Sequence, residues 1–363
     1  MCICKRVSGA GFSRAFKCAV LCTLFLALTS AALSAEHKPH QGCSSFFLSA
    51  PDGTRVFGTN LDLTFDRGRL YVNPRGVAKR GWGTGTTGVV ATWTSTYGSL
   101  TYNLAGYQLA WAGMNEAGLA ISTMALDSTT NPAPDARPPL ESGFWLQYLL
   151  DTCATVDEAR RTDSNVRMAH TVDHYLLADR SGGCAVIEFV DGRMVCHTGR
   201  DLPVSALTNN TYEASVSAWR SGQELEGDSL VRFAAVADRV RGYTSGDPVS
   251  YAFSTLAAVS REWTAWTIVF DAERGQASFF TRSRPGVKVV RFAGLEFSPG
   301  APVRMLDVNT DRLGDLTGAL VPYSHKDALS HMTAAFRVFS PSMTPKDVDS
   351  FLRFLESGAP AEQ

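Results

Sequence analysis

Cys43 is the residue of this chain whose position most directly suggests chemistry. It follows a short polar segment, 37–42, and begins an apolar run of the kind that forms β-strands. A cut before Cys43 would leave a thiol and a free α-amine on one residue. Such an amine has a reference pKa near ~8, so it can accept the thiol proton near neutral pH, and the resulting thiolate is nucleophilic. A nucleophile that carries its own base predicts an amidase.

The N-terminal 35 residues have the composition of an export signal. A basic segment without acidic residues comes first, then an apolar run at 19–28, then small residues at 30–35. The apolar run is too short for a membrane span, so we expect a signal peptide over 1–35 and removal of a short propeptide, 36–42. An uncleaved anchor is the alternative. The prediction is an exported protein, periplasmic or secreted, without stable membrane insertion after signal removal.

The remaining chain has an ordinary globular composition. Of the 363 residues of the whole chain, 45% are hydrophobic and 19% are charged, and the net charge of −1 does not favour nucleic-acid binding. We predict one catalytic domain over 43–363, as a monomer or a homo-oligomer.

Blocks of strands and helices alternate along this domain. Strand-like runs fill the front half, including 107–112, and helices are predicted near 143–153, 212–259, 326–339 and 346–355. A capping-box pattern at Thr155 and Glu158 predicts the start of another helix, and strand-like runs at 266–270 and 277–281 predict a hairpin. This order favours an α+β layered fold over a parallel βαβ sheet.

Four of the eight cysteines lie beyond the leader, at Cys43, Cys153, Cys184 and Cys196. Cys184 and Cys196 flank an apparent hairpin, and either a disulfide or two free thiols would fit there. The sequence has no Cys-x-x-Cys pair and no Cys/His cluster at zinc spacing. Amide hydrolysis by a thiol requires no metal and no organic cofactor, so none is predicted.

Several motifs along the chain carry a family resemblance. They are Cys43-Ser-Ser-Phe-Phe, the stretch DGTRVFGTNLD at 52–62, YVNPR at 71–75, GMNEAGL at 113–119 and LTNN at 207–210. In this order and spacing the chain resembles the choloylglycine hydrolase and penicillin V acylase family over about 43–284. The resemblance implies the N-terminal nucleophile (Ntn) hydrolase fold, a four-layer αββα sandwich. It also implies cleavage of small N-acyl amides such as penicillin V, conjugated bile salts or N-acyl homoserine lactones.

The resemblance assigns roles to four residues. Cys43 matches the nucleophile, and Asp62 matches the carboxylate that orients its amine and thiol. Asn209 matches the amide side chain of the oxyanion hole, and Arg232 matches an arginine of the catalytic cluster. Each residue also has an ordinary structural interpretation. Asp62 could cap a turn, Asn209 could cap a helix or accept a glycan, and Arg232 could be a surface charge paired with Asp228 or Asp238.

Two positions depart from the family pattern. Thr59 stands where the family commonly has an arginine, three residues before the aspartate, so the charge near the nucleophile must differ; Arg67 or Arg69 could substitute. Ala125 stands where bile-salt hydrolases usually carry asparagine, so an oxyanion contact there must come from the backbone.

Two other functions are compatible with the sequence. Cys43 could be lipidated, which would make the domain an anchored binding protein, although His40 and several polar residues before Cys43 argue against it. The chain could also be a secreted relative that kept the fold and lost catalysis.

Overall fold

Two large sheets form the centre of the computed structural model, which describes residues 41–50, 52–84, 86 and 88–358. The predicted signal peptide, 1–35, and residues 36–40 of the predicted propeptide lie outside the described residues. The strands, numbered along the chain, are β1 (Gln41–Ser49), β2 (Arg55–Leu63), β3 (Arg69–Asn73), β4 (Ala78–Thr84), β5 (Val90–Thr94), β6 (Ser99–Asn103), β7 (Ala112–Asn115), β8 (Ala120–Ala125), β9 (Pro139–Glu141), β10 (Arg167–His170), β11 (Asp173–Ala178), β12 (Cys184–Val190), β13 (Arg193–Thr198), β14 (Ala206–Leu207), β15 (Thr264–Asp271), β16 (Gln276–Thr281), β17 (Arg284–Arg291), β18 (Arg304–Asp307), β19 (Gly314–Asp315) and β20 (Val321–Pro322).

The helices lie in three groups along the chain. They are α1 (Ser142–Thr152), α2 (Val156–Arg161), α3 (Tyr212–Ser221), α4 (Asp228–Gly242), α5 (Pro248–Ala258), α6 (His325–Phe339) and α7 (Pro345–Glu356). The predicted capping box at Thr155 is present, because its side chain accepts from the Glu158 amide while Glu158 accepts from the Thr155 amide. Within the described part of the chain, no helix is both long and apolar enough to cross a membrane.

The strand order defines the two sheets. One has seven strands in the order β14-β1-β2-β15-β16-β17-β19, and the other has nine in the order β13-β12-β11-β8-β7-β6-β3-β18-β20. Neighbouring strands are antiparallel except β17 and β19. Half of the neighbouring pairs are consecutive in the chain and are joined by short connections, and the other half pair strands that are not consecutive.

The two sheets pack face to face, and helices cover their outer surfaces. Across the inner interface, Ser45 Oγ on β1 lies 2.8 Å from Ser122 Oγ on β8. On the outer face of the first sheet, Asn60 Nδ2 donates to the Leu256 carbonyl of α5 at 2.9 Å. On the outer face of the second, Asn115 Nδ2 donates to the Leu150 carbonyl of α1 at 2.9 Å. The predicted α+β class and four-layer αββα sandwich are therefore confirmed.

The pairing of β1 with β2 decides which side chains face the other sheet. Cys43 pairs with Leu61 and Ser45 with Thr59 on the inner face, whereas Gly42 pairs with Asp62 on the face that carries the helices. Cys43 therefore points between the sheets, and Asp62 lies on the opposite side of the same strand pair.

The strand predicted at 107–112 is wrong for most of its length. A turn occupies the region instead, with the Leu109 amide donating to the Gly106 carbonyl at 3.2 Å and Gln108 in the left-handed region at φ 62°. Tyr107 packs edge-on against Tyr71, so its apolar surface is buried by tertiary contact and not in a ladder. Only at Ala112 does β7 begin.

Cys184 and Cys196 are both free in the structure, as are Cys43 and Cys153. Cys196 pairs across the β12–β13 ladder with Ile187, three residues beyond Cys184. This register separates the two thiols along the hairpin, so of the two alternatives the structure has the free thiols.

Candidate functional site

Cys43 lies at the wall of a cavity that is lined by residues from both large sheets and from α1. Cys43 is only 6% exposed, and the cavity has a volume of about 90 Å³. The cavity is lined largely by apolar side chains, among them Leu61, Leu63, Leu104, Leu109, Trp111 and Phe339. Polar lining comes from Asp62, Thr123, Ser142 and Asp173. A mostly apolar cavity beside a thiol can hold an acyl group against a nucleophile.

Asn209 is hydrogen-bonded to Cys43 across 166 residues of chain. Its Oδ1 accepts the Cys43 backbone N–H at 2.9 Å, and its Nδ2 donates to the Ala125 carbonyl at 2.9 Å. An amide nitrogen carries two hydrogens, so one remains for a further acceptor. The ordinary interpretation as a helix cap is not met, because Thr211 holds the N-cap position of α3.

The backbone at Asn209 is fixed by a buried polar network. The Asn209 amide donates to Ser229 Oγ at 2.9 Å, and His174 Nε2 donates to the preceding Thr208 carbonyl at 2.6 Å. His174 Nδ1 in turn lies 2.9 Å from a Glu188 carboxylate oxygen. The side chain that meets Cys43 is therefore held from both sides, which limits its motion.

Arg232 connects the groups around Cys43. It is 2% exposed, and its guanidinium donates to the Cys43 carbonyl, to Ser44 Oγ at 2.9 Å and to Asn209 Oδ1 at 2.9 Å. Its Nε donates to Asp228 at 2.6 Å, which is one of the two surface pairings considered from sequence. Because the rest of the guanidinium is buried on Cys43 and Asn209, Arg232 belongs to the site and is not a surface charge.

Asp62 is buried close to the Gly42–Cys43 peptide. Its Oδ1 accepts from Thr264 Oγ1 at 2.5 Å, while its Oδ2 has no hydrogen-bond partner among the described residues. A Cβ added at Gly42 would lie 3.1 Å from this Oδ2 and 3.2 Å from an Arg232 nitrogen. Asp62 is thus neither a turn cap nor a surface group, and the close approach requires a small residue at position 42.

Burial governs the protonation of both groups. Burial raises the pKa of Asp62, while the Thr264 hydrogen bond and the Arg232 charge oppose that effect. Burial and then the Asp62 charge raise the pKa of the Cys43 thiol far above its ordinary value, and Arg232 only partly offsets them. In the uncleaved strand the thiol is therefore protonated at neutral pH, so a nearby proton acceptor is needed to make it reactive.

The position of the missing family arginine holds a neutral side chain. Thr59 is fully buried, and its Oγ1 lies 2.8 Å from Ser45 Oγ. Arg67 is exposed, and Arg69 is held by Asp307 and Asp327 at 2.8 and 2.9 Å. Neither arginine lines the cavity, so the suggestion that one of them substitutes is wrong.

Ala125 contributes its backbone to the site. Its carbonyl accepts from Asn209 Nδ2, and the residue lines the cavity. It pairs with Asp173 on β11, and the adjacent Leu126 amide donates to the Val172 carbonyl at 2.7 Å. Amide and carbonyl directions alternate along an antiparallel strand, so the Ala125 N–H points away from β11, on the same side as its carbonyl.

Asp173 and Ser142 are lining residues that the sequence analysis did not find. Asp173 follows a turn-like stretch, where an aspartate is ordinarily a local cap, and Ser142 begins a helix. Neither position carries a motif that distinguishes it. Among the residues that the structure describes, no group of three or more His, Cys, Asp or Glu side chains is arranged to hold a metal ion.

Comparisons with known proteins show the family to which the chain belongs. The family model for linear amide C–N hydrolases, choloylglycine hydrolase family, matches residues 43–246, more than half of the chain. A penicillin V acylase from Pectobacterium atrosepticum is 30% identical over 229 residues, which cover 56% of this chain and 59% of that protein. The matched part thus spans less than two thirds of that relative's length.

Solved structures extend the comparison to the fold. A penicillin V acylase from Agrobacterium tumefaciens superposes with a TM-score of 0.69 at 27% identity and covers 78% of this chain and 98% of that chain. A mutant conjugated bile acid hydrolase from Clostridium perfringens gives a TM-score of 0.60 at 15% identity over 75% of this chain and 98% of its own, which shows a shared fold. The chain belongs to the linear amide C–N hydrolases of the choloylglycine hydrolase family and has their Ntn-hydrolase fold.

Proposed function

We propose that this protein hydrolyses the C–N bond of small N-acyl amides, with Cys43 as an N-terminal nucleophile and its α-amine as the base. The observation that carries the proposal is the hydrogen-bonded set of Cys43, Asn209 and Arg232, in which Cys43 lines a largely apolar cavity. Asp62 completes the set, because it lies beside Gly42, next to where the new amine would form.

The proposed maturation is a self-cleavage at Cys43. The thiol sulfur bonds to the Gly42 carbonyl carbon, the Gly42–Cys43 C–N bond breaks, and the freed nitrogen takes the thiol proton. Water then hydrolyses the thioester and releases the Gly42 carboxylate. Once Gly42 leaves, the cationic α-amine of Cys43 can donate to the Asp62 Oδ2 that lacks a partner among the described residues.

The proposed reaction follows the same chemistry with substrate. The neutral α-amine takes the Cys43 thiol proton, and sulfur bonds to the substrate carbonyl carbon. The second hydrogen of Asn209 Nδ2 and the Ala125 N–H stabilise the oxyanion. The α-ammonium returns its proton to the leaving nitrogen as the C–N bond breaks, and water hydrolyses the acyl-cysteine thioester. In this scheme Arg232 positions Cys43 and Asn209 through its hydrogen bonds to both residues.

The substrate classes considered are penicillin V, conjugated bile salts, N-acyl homoserine lactones and other N-acyl amides. The apolar lining of the cavity supports an acyl chain or an aromatic acyl group as the part of the substrate that is bound there. Penicillin V and conjugated bile acid are the substrates named for the similar proteins, and their transfer to this chain is part of the proposal.

A panel assay with purified mature protein tests the function. We expect release of amine from at least one of the four substrate classes, with no release by Cys43→Ala. Cys153→Ala is the matched control, since Cys153 is also a buried free cysteine but lies outside the cavity wall, and it should retain full activity. Hydrolysis by Cys43→Ala would exclude Cys43 as the nucleophile. A folded, mature protein that cleaves none of the substrates would favour the non-catalytic relative.

Export and the absence of a lipid on Cys43 belong to the same proposal. The signal-like leader supports an exported protein, either periplasmic or secreted. Cell fractionation tests the location, and recovery of the full-length chain in the cytoplasm with its leader intact would contradict it. A lipidated Cys43 would shift the mass of the N-terminal peptide by the attached acyl groups, which separates an anchored binding protein from the amidase.

A further inference from the structure

One charged side chain of the cavity wall has no part in the proposed reaction. Asp173 begins β11, is 7% exposed and lines the same cavity as Cys43. The two residues are close enough for the Asp173 charge to raise the pKa of the Cys43 thiol. Burying a carboxylate costs free energy unless hydrogen bonds or an opposite charge compensate, and a buried ionisable group at a binding cavity is a candidate for a functional role.

Asp173 is held in place by hydroxyl groups on the protein side. Its Oδ2 accepts from Ser142 Oγ at 2.7 Å and from Thr171 Oγ1 at 3.4 Å. Ser142 Oγ also accepts from the Tyr175 hydroxyl at 2.7 Å, so the donors are themselves positioned. The carboxylate is therefore oriented before any substrate enters, as a recognition group must be.

Asp173 also lies close to the proposed oxyanion position. It is the direct cross-strand partner of Ala125, and the Ala125 carbonyl binds Asn209. Directly opposite residues of an antiparallel pair present their side chains on the same face of the sheet. Because Ala125 has only a methyl group, it does not cover the carboxylate.

The charge balance of the cavity wall is negative. Asp62 and Asp173 are its acidic residues, no lysine or arginine of the described chain lines it, and the cationic α-amine proposed for mature Cys43 would offset only Asp62. The N-terminus of α1 offers a positive dipole, but its first residue, Ser142, is already bonded to Asp173. Burial raises the pKa of Asp173 to about 6, and the Ser142 hydrogen bond opposes that effect, so the group is largely ionised at about pH 7.5.

We propose that Asp173 is a specificity-determining residue. It selects N-acyl amides that present an uncharged or hydrogen-bond-donating group next to the scissile bond, and it disfavours those that carry a carboxylate or sulfonate there. The inference rests on the proposed amidase function, which leaves the charge of the substrate open.

A matched pair of substrates isolates this charge. Phenylacetylglycine and phenylacetylglycinamide share the acyl group and the scissile bond, and they differ by one negative charge on the amine side. For the mature protein we expect kcat/KM to favour the uncharged amide by about tenfold or more, from like-charge repulsion inside a poorly solvated cavity. Asp173→Asn should raise kcat/KM for the anionic substrate and reduce the preference to within about threefold.

Thr123→Val is the matched control, because it removes a neutral hydroxyl from the same cavity wall and leaves the hydrogen bonds of Asp173 to Ser142 and Thr171 in place, so it should preserve the preference. Asp173→Ser serves as a second variant if Asp173→Asn does not fold. An unchanged preference in the charge-neutral variants would overturn the proposal. If the protein hydrolyses neither substrate, the amidase function fails separately. Calorimetry then measures the Kd of both compounds for the parent protein and for Asp173→Asn. The ratio of the two Kd values tests the role of Asp173 in place of the kcat/KM ratio.

Discussion

Replacement of Asn209 by aspartate separates two roles that the site combines. The Oδ1 of Asn209 holds the Cys43 nitrogen and the Arg232 guanidinium, each at 2.9 Å, while its Nδ2 supplies the hydrogens. Asn209→Asp has nearly the same shape and keeps an acceptor for Cys43 and Arg232. It replaces the donor with an oxygen that faces the Ala125 carbonyl.

The size of the effect follows from the donor. Loss of one oxyanion-hole donor costs about 2.7–4 kcal/mol of transition-state stabilisation, or a factor of about 10² to 10³ in kcat. If Asn209 acts as this donor, both Asn209→Ala and Asn209→Asp should lose about that factor, with a much smaller change in KM. If Asn209 only positions the Cys43 nitrogen, the aspartate variant should retain most of the activity.

The assay is steady-state hydrolysis of the best substrate from the panel. Intact mass must show that each variant begins at the same residue, and thermal unfolding must show that each is folded. Asn210→Ala changes the adjacent residue as a control and should stay within about twofold of the parent protein. An Asn209→Asp protein that is mature, folded and retains more than about a third of kcat would refute the oxyanion role.

Three further outcomes follow from buried contacts. The Gly42→Val variant should accumulate as uncleaved precursor, visible on a gel, because its Cβ would lie 3.1 Å from a carboxylate oxygen of Asp62. Normal processing of this variant would contradict the tight fit at position 42. Lys79→Met should lower the free energy of unfolding in urea by about 3–5 kcal/mol, because it leaves the fully buried Asp151 without its ion-pair partner. Replacing both Lys79 and Asp151 by apolar residues should recover much of this loss. A loss below about 1 kcal/mol for Lys79→Met would contradict the reasoning. Burial raises the pKa of Glu188, but hydrogen bonds from two histidines and an amide outweigh it and lower the pKa to about 2. Since this folded-state pKa lies below the unfolded value of about 4.3, the stabilisation is complete above about pH 5 and is lost as pH falls toward 2. Glu188→Gln should therefore flatten the fall in unfolding free energy over that range, and an unchanged acid limb would contradict it.

The sequence predicts correctly those elements whose stabilising contacts lie close together in the chain. The capping box at Thr155, the hairpin between β15 and β16 and the two C-terminal helices were all predicted close to their observed positions. Their hydrogen bonds and apolar faces involve residues near one another in the chain. The prediction of a strand at 107–112 is wrong because Tyr107 is buried by aromatic residues that are distant in the chain. An alternating pattern of apolar residues does not distinguish this kind of burial from burial within a β-sheet.

The site itself required information that no local pattern contains. Asn209 meets Cys43 across 166 residues, and Arg232 reaches the Cys43 carbonyl across 189 residues; only the family resemblance joined them in advance. The family resemblance did not identify Asp173, because the role proposed for this residue rests on its burial beside Ala125 and Cys43 in the folded chain. It also could not show that Thr59 forms a neutral hydroxyl contact with Ser45 where the family commonly places a cation.

The most direct test of the central claim is the intact mass of the purified, exported protein, with the N-terminal peptide identified by fragmentation. The proposed mechanism predicts an active chain that begins at Cys43 with an unmodified α-amine and a free thiol. Cys43→Ala should keep residues before position 43. An active protein whose chain still begins at Glu36, with the Gly42–Cys43 peptide intact, would contradict the claim that Cys43 acts as an N-terminal nucleophile.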